Sequence, residues 1–192
     1  MEFIISINGN IKILDSSRYE SQEDIAFLIE ENFPEIYNFP EIYLLVSENG
    51  LIEFMKLNEN FEFKEFSIYD KKVFQLFKKY IKITKIPKFL YHKSNPLFRE
   101  KIFKEGLKPK IGDSYLCHYE QYSEDLVPLI FLSIDDKYDT TYDDDIYIIN
   151  TKNLDKNLFV KDIDVSNAIA YLSNIPISEI ELIHEGTGKD NF

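Results

Sequence analysis

The chain has 192 residues, 44% of them hydrophobic and 29% charged, and a net charge of −12 at pH 7. That length supports one substantial core or two small ones. The lone cysteine, Cys117, excludes an internal disulfide framework and a cysteine metal cluster. The acidity argues against non-specific DNA binding, which needs many phosphate-neutralising cations.

No stretch approaches the roughly 20 apolar residues of a membrane span. Residues 1–7 lack the basic start and long apolar run of a signal peptide. A soluble, cytoplasmic protein with no membrane partner is expected.

Residues 3–7 and 11–14 alternate around Asn8-Gly9-Asn10 and read as a hairpin. Ser21 and Asp24 frame a capping-box-like start, after which Ile25, Leu28, Ile29 and Phe33 recur at helical spacing. A second hairpin is expected for residues 42–47 and 51–57 about Asn49-Gly50, with a third strand near Phe61 and Phe63. A helix is expected over residues 69–81, where Val73, Leu76, Phe77, Tyr80 and Ile81 form one apolar stripe. Residues 1–82 thus form a small α+β domain with no His and no Cys, suited to packing or partner recognition. Residues 82–88 read as a connection to a second domain, residues 88–185.

The second domain opens on Phe89-Leu90-Tyr91-His92-Lys93-Ser94, a short strand. It continues into a helix with Asn95 as N-cap, Pro96 at its first position and Gly106 as its stop. Phe98 and Ile102 are expected to face the core, and Arg99, Lys101 and Lys104 to point outward. Residues 85–110 hold eight Lys/Arg and two Glu, so this +6 island sits in a chain whose remainder carries −18. Such an island beside a helix N-terminus suits an anionic ligand, phosphate above all.

Further on, residues 111–127 read as a long loop holding Cys117 and His118; adjacent side chains rarely make a nucleophile–base pair, so no thiol chemistry is expected there. Pro128 to Ser133 is a buried strand. Asp at 135, 136, 139, 143, 144 and 145 makes a solvated acidic loop without the glycine of a calcium-binding loop, and no metal is expected. Residues 146–150 form a strand and a short one ends near Asp162. Residues 165–171 read as helical or irregular, and Ile175-Pro176 opens the last element. Residues 186–192 are expected to fray.

Several of these pieces resemble, in order, the ADP-ribosyltransferase superfamily, which includes bacterial toxins and RNA 2′-phosphotransferases. Leu90-Tyr91-His92-Lys93-Ser94 resembles its first-strand histidine motif. Ile102 to Pro109, with Gly106-Leu107-Lys108-Pro109, resembles the helix and turn that follow. Leu129-Ile130-Phe131-Leu132-Ser133 resembles the second-motif strand, and Asn174 to Ile183 the Ile-Pro close. The resemblance implies an α+β chain whose second half is a split β-sheet domain with a cleft for NAD. It implies NAD or a related nucleotide as ligand, contacted by Tyr91, His92, Lys93, Ser94, Arg99, Ser133 and Tyr138, with His92 on the ribose hydroxyls and Ser133 and Tyr138 at the nicotinamide.

The implied reaction is NAD-dependent ADP-ribosyl transfer to a macromolecular acceptor, through an oxocarbenium-like state that a carboxylate stabilises. Many relatives carry that Glu shortly before the Ile-Pro close. Residues 166–174 contain no acid, so Glu179 and Glu181, expected on one face of a strand, are the candidates beside His92. The alternative is an inactive module of the same fold that binds a nucleotide or a protein.

Overall fold

The computed structural model describes residues 2–7, 9–15, 22–33, 42–48, 51–57, 63–65, 68–111, 125–135, 143–162 and 168–189. Tyr138, Cys117 and His118 lie outside them. The chain is α+β and divides into two compact units: Met1–Lys79 with Gly112–Val127, and Tyr80–Ile111 with Pro128–Phe192.

The first unit is an antiparallel sheet of five strands, β1 (Glu2–Ile7), β2 (Asn10–Asp15), β3 (Ile42–Glu48), β4 (Leu51–Leu57) and β5 (Phe63–Glu65), in the order β2-β1-β3-β4-β5. Both hairpins close over two residues, Ile7 opposite Asn10 and Glu48 opposite Leu51. Two helices belong to the unit, α1 (Gln22–Asn32) and α2 (Lys71–Phe77). Asp70 caps α2 by accepting from the Lys72 and Val73 amides at 2.9 and 3.1 Å. The periodicity predicts helix to residue 81, but α2 stops at Phe77. Beyond it the Ile81 carbonyl accepts from the Lys161 amide at 2.8 Å and Lys82 bridges Val160. Strand-like pairing within the second unit outcompetes local helix propensity there.

The second unit is built on a six-stranded antiparallel sheet: β6 (Phe89–Ser94), β7 (Ile130–Ser133), β8 (Asp145–Asn150), β9 (Phe159–Lys161), β10 (Ala168–Tyr171) and β11 (Ile180–His184), ordered β11-β8-β6-β7-β10-β9. β10 corrects the helical or irregular reading of residues 165–171 over residues 168–171, residues 165–167 lying outside the described ones. Ala168–Tyr171 pairs with β7 on one side and β9 on the other, and that pairing is invisible in a four-residue apolar run. Strand parity assigns Leu90, Leu132, Tyr147, Ile149, Ile169 and Tyr171 to one face, where they pack with Ile102, Leu107, Leu154, Phe159 and Ile175 as the core.

The helix after β6 starts as expected. Asn95 Oδ1 accepts from the Leu97 amide at 3.0 Å, Pro96–Phe98 is a 3-10 turn, and α3 (Arg99–Glu105) follows. Ile102 is buried, but Phe98 stays 47% exposed, contrary to the core position expected for it. Gly106 ends α3 at φ 74°, ψ −171°, a region in effect reserved for glycine. Leu107 and Ile175 then exchange two backbone hydrogen bonds of 3.0 and 2.9 Å. A Cβ on Gly106 would lie 2.2 Å from the Ile175 carbonyl oxygen. Gly106→Ala is therefore expected to destabilise the protein by about 3 kcal/mol or more, from the forbidden φ and the backbone clash together. Urea denaturation measures it, and a loss below about 0.5 kcal/mol would show that this turn does not constrain the unit.

Candidate functional site

His92 lies on β6 opposite Tyr147 of β8. Its Nδ1 is 2.9 Å from the Phe131 carbonyl oxygen on β7. A carbonyl only accepts, so Nδ1 carries the proton and Nε2 is the acceptor nitrogen. Burial lowers the His92 pKa most; the Phe131 bond raises it and the Lys110 ammonium lowers it. The imidazole is neutral at pH 7. The bond also spans a weak seam: among the described residues β6 and β7 pair in register only at Tyr91 and Ser133.

Parity divides the residues that the sequence grouped at one ligand. His92 and Ser94 lie on the core face, in the rows of Tyr147 and Asp145. Tyr91 and Lys93 lie on the opposite face. Tyr91 pairs with Ser133 on β7 and with Ile148 on β8, and Ile148 pairs with Glu181 on β11. Glu181, Ile148, Tyr91 and Ser133 thus form one cross-strand row, Glu181 and Tyr91 being two strand spacings, ~9.6 Å, apart. Ser133 is buried, and its hydroxyl accepts from the Asp135 amide at 3.3 Å. Burial lowers the Lys93 pKa, against the upward pull of Asp144 and Asp143.

The two candidate acids do not share a strand face. Glu179 belongs to the 3-10 turn Ile177–Glu179 before β11, because the Glu179 amide closes that turn onto the Pro176 carbonyl. Its side chain is 8% exposed and accepts from Asn153 Nδ2 at 2.9 Å and from Ser178 Oγ at 3.4 Å. Glu181 is exposed on β11.

Arg99 does not point freely outward. Its Nε and an Nη donate to the two oxygens of Asp145 at 2.8 and 2.6 Å, the same Nη donates to the Gly186 carbonyl at 3.0 Å, and the other Nη reaches Glu185 at 3.2 Å. Asp145 is fully buried and also accepts from the Tyr147 hydroxyl at 2.9 Å and the Gly186 amide at 3.0 Å. Burial pushes its pKa up, but the Arg99, Tyr147 and Gly186 donors outweigh it and the net shift is downward. Burial, then the Asp145 carboxylate, raises the Tyr147 pKa.

The end of the Asp-rich stretch is thus not a solvated loop. Asp143 accepts from His184 Nε2 at 2.7 Å and from the Thr187 amide and hydroxyl at 3.0 Å each, and its backbone pairs with Gly188 and Lys189. Residues 186–189, expected to fray, are held against β8, and a Cβ at Gly188 would meet the Pro96 ring at 3.7 Å. The junction after β6 is consequently occupied by its own chain: Asn95 caps the turn and the 186–189 segment lies beside Pro96.

Asp143, Asp145, Tyr147 and His184 were not singled out as site residues by the sequence. A signal was present: Asp145 shares parity with Tyr147 and Ile149, so a strand burying those two buries the carboxylate with them. Among the described residues no cluster of His, Cys, Asp and Glu is placed to hold a metal ion, and no helix is long and apolar enough to cross a membrane. Comparison with known families, curated proteins and solved structures returns no match.

Asp145→Asn is expected to cost about 2 kcal/mol. That is below the roughly 3–5 kcal/mol of breaking a fully buried pair, because Arg99 keeps some contact with water. An unchanged denaturation midpoint would overturn the anchoring role. Asp143 titrates at about 2, lowered first by the His184 hydrogen bond and then by Thr187. Its folded pKa lies below the ordinary carboxylate value, so its stabilisation is complete above pH ~4 and disappears as pH falls toward 2. Amide exchange should show residues 184–189 opening across that window, and Asp143→Asn should already be open at pH 5.

Proposed function

We propose that the second unit is an NAD-handling domain of the ADP-ribosyltransferase type that transfers ADP-ribose to a macromolecular acceptor. The observation that carries this reading is His92: a neutral imidazole whose Nδ1 is fixed across the β6–β7 seam, leaving Nε2 to accept from a ribose hydroxyl. The six strands form one sheet, and the single register pair between β6 and β7 is its nearest feature to the split implied by the ordered motifs. In this reading Glu181 is the carboxylate that meets the developing positive charge. It is exposed and shares a row with Tyr91 and Ser133, whereas Glu179 is occupied by Asn153. The Lys93 and Lys110 ammonium groups would balance the pyrophosphate, with Arg99 committed to Asp145.

A second reading, an inactive module that binds NAD or a related nucleotide, is favoured by one specific feature. Glu181 lies on the sheet face opposite His92, and Glu179 is bonded to Asn153, so the anchor and the exposed acid are separated by the sheet.

Nicotinamide release from NAD, followed by chromatography, decides between them. The transfer reading expects release by the wild type, at least 100-fold slower release by Glu181→Gln, and loss in His92→Ala. Glu179→Gln is expected to retain most of the rate. An NAD-dependent rise in melting temperature without release, abolished in His92→Ala, selects the binding module. Neither release nor a thermal shift would overturn both.

A further inference from the structure

The two units differ sharply in charge. The first carries 8 Lys/Arg against 19 Asp/Glu, so nearly all of the chain's net −12 resides there. Among the described residues, a helix of each unit displays large apolar side chains outward. On α1, Leu28 and Ile29 are buried, while Phe27 is 65% exposed. Glu30 and Glu31, both exposed, follow Phe27 one turn on.

The helix after β6 has the opposite sign. Ile102 is its buried residue and Leu97, at 88% exposure, stands on the outward side. Lys101 and Lys104, both exposed, follow it one and two turns on. Phe98 and Phe103, each 47% exposed, flank it, and Lys110 Nζ sits 5.2 Å from the Phe98 ring centroid. An exposed Leu followed by Lys101 and Lys104 and an exposed Phe followed by Glu30 and Glu31 are matched surfaces, apolar at the centre and opposite in charge at the rim.

We propose that the acidic α1 face of one copy of this chain docks on the basic ridge of residues 97–110 of a second copy. A single-stranded nucleic acid fits the ridge less well. Stacking needs open aromatic faces, but Lys110 Nζ stands on one face of the Phe98 ring and the Phe103 ring packs against Tyr147 at 6.2 Å. One helix face against another buries less than a standard interface, so the association is weak and depends on concentration. Its charged rim makes it sensitive to salt.

The test is sedimentation velocity of the full chain over a range of protein and salt concentrations. The wild type should self-associate at high concentration, with the association weakening as salt rises. Lys101→Glu with Lys104→Glu, and separately Glu30→Lys with Glu31→Lys, should each weaken self-association by about tenfold or more. Mixing the two reversed variants should restore association between them, an outcome that a folding defect does not produce. A monomer under every condition would overturn the proposal, as would self-association untouched by either pair. Binding of the wild type to phosphatidylserine vesicles or to an oligouridylate strand, without self-association, would reassign the ridge to that occupant.

Discussion

Asp145 is a carboxylate without water. It begins β8 inside the second unit, and everything around it is arranged to keep it charged: two donors from Arg99, the Tyr147 hydroxyl and the Gly186 amide. A buried charge is tolerated only with such partners. The consequence is structural reach. One side chain ties α3, the start of β8, the Tyr147 ring beside His92 and the segment after β11 into a single polar joint. Asp143 repeats the device two residues earlier, with His184 and Thr187 as donors. The edge strand β11 is secured at its far end by carboxylates, not by apolar packing.

The second governing constraint is the two-residue period of a strand. His92 and Ser94 face the core, and Tyr91 and Lys93 face the other way with Ser133 and Glu181. Residues adjacent in a motif are thereby separated by the thickness of the sheet. His92 and Ser133 lie on opposite faces, on strands that meet at the β6–β7 seam. The Phe131 carbonyl holding His92 Nδ1 lies at that seam. The same parity supplies the reason for the competing reading, since Glu181, the exposed candidate acid, lies on the face opposite His92.

Much of the fold was legible along the chain. Both hairpins, the Asn95–Pro96 start, the Gly106 stop and the strands ending at Ser133 and Asn150 follow from turn residues and alternation. These are local rules, satisfied within four to eight residues. The failures share one cause. α2 stops early because residues 81–82 pair with β9; Ala168–Tyr171 is a strand because β7 and β9 flank it; residues 186–189 are ordered because Asp143 and Asp145 bind them. Each outcome is set by partners outside the local segment, from 8 residues away for Lys161 and Ile169 to far more distant strands.

The sequence by itself determined the α+β class, the local elements of each half, the uneven spread of charge and the strand-to-helix placement of His92, because propensity, capping and periodicity act between neighbours. Only the tertiary structure decided which side chains are spent. Arg99, read as a ligand contact, is committed to a buried Asp. Glu179 is tied to Asn153, while Glu181 stands open in the row of Tyr91 and Ser133. Whether a charged group is available depends on the dielectric around it and on the donors that reach it, and both are set by strands that meet across the fold.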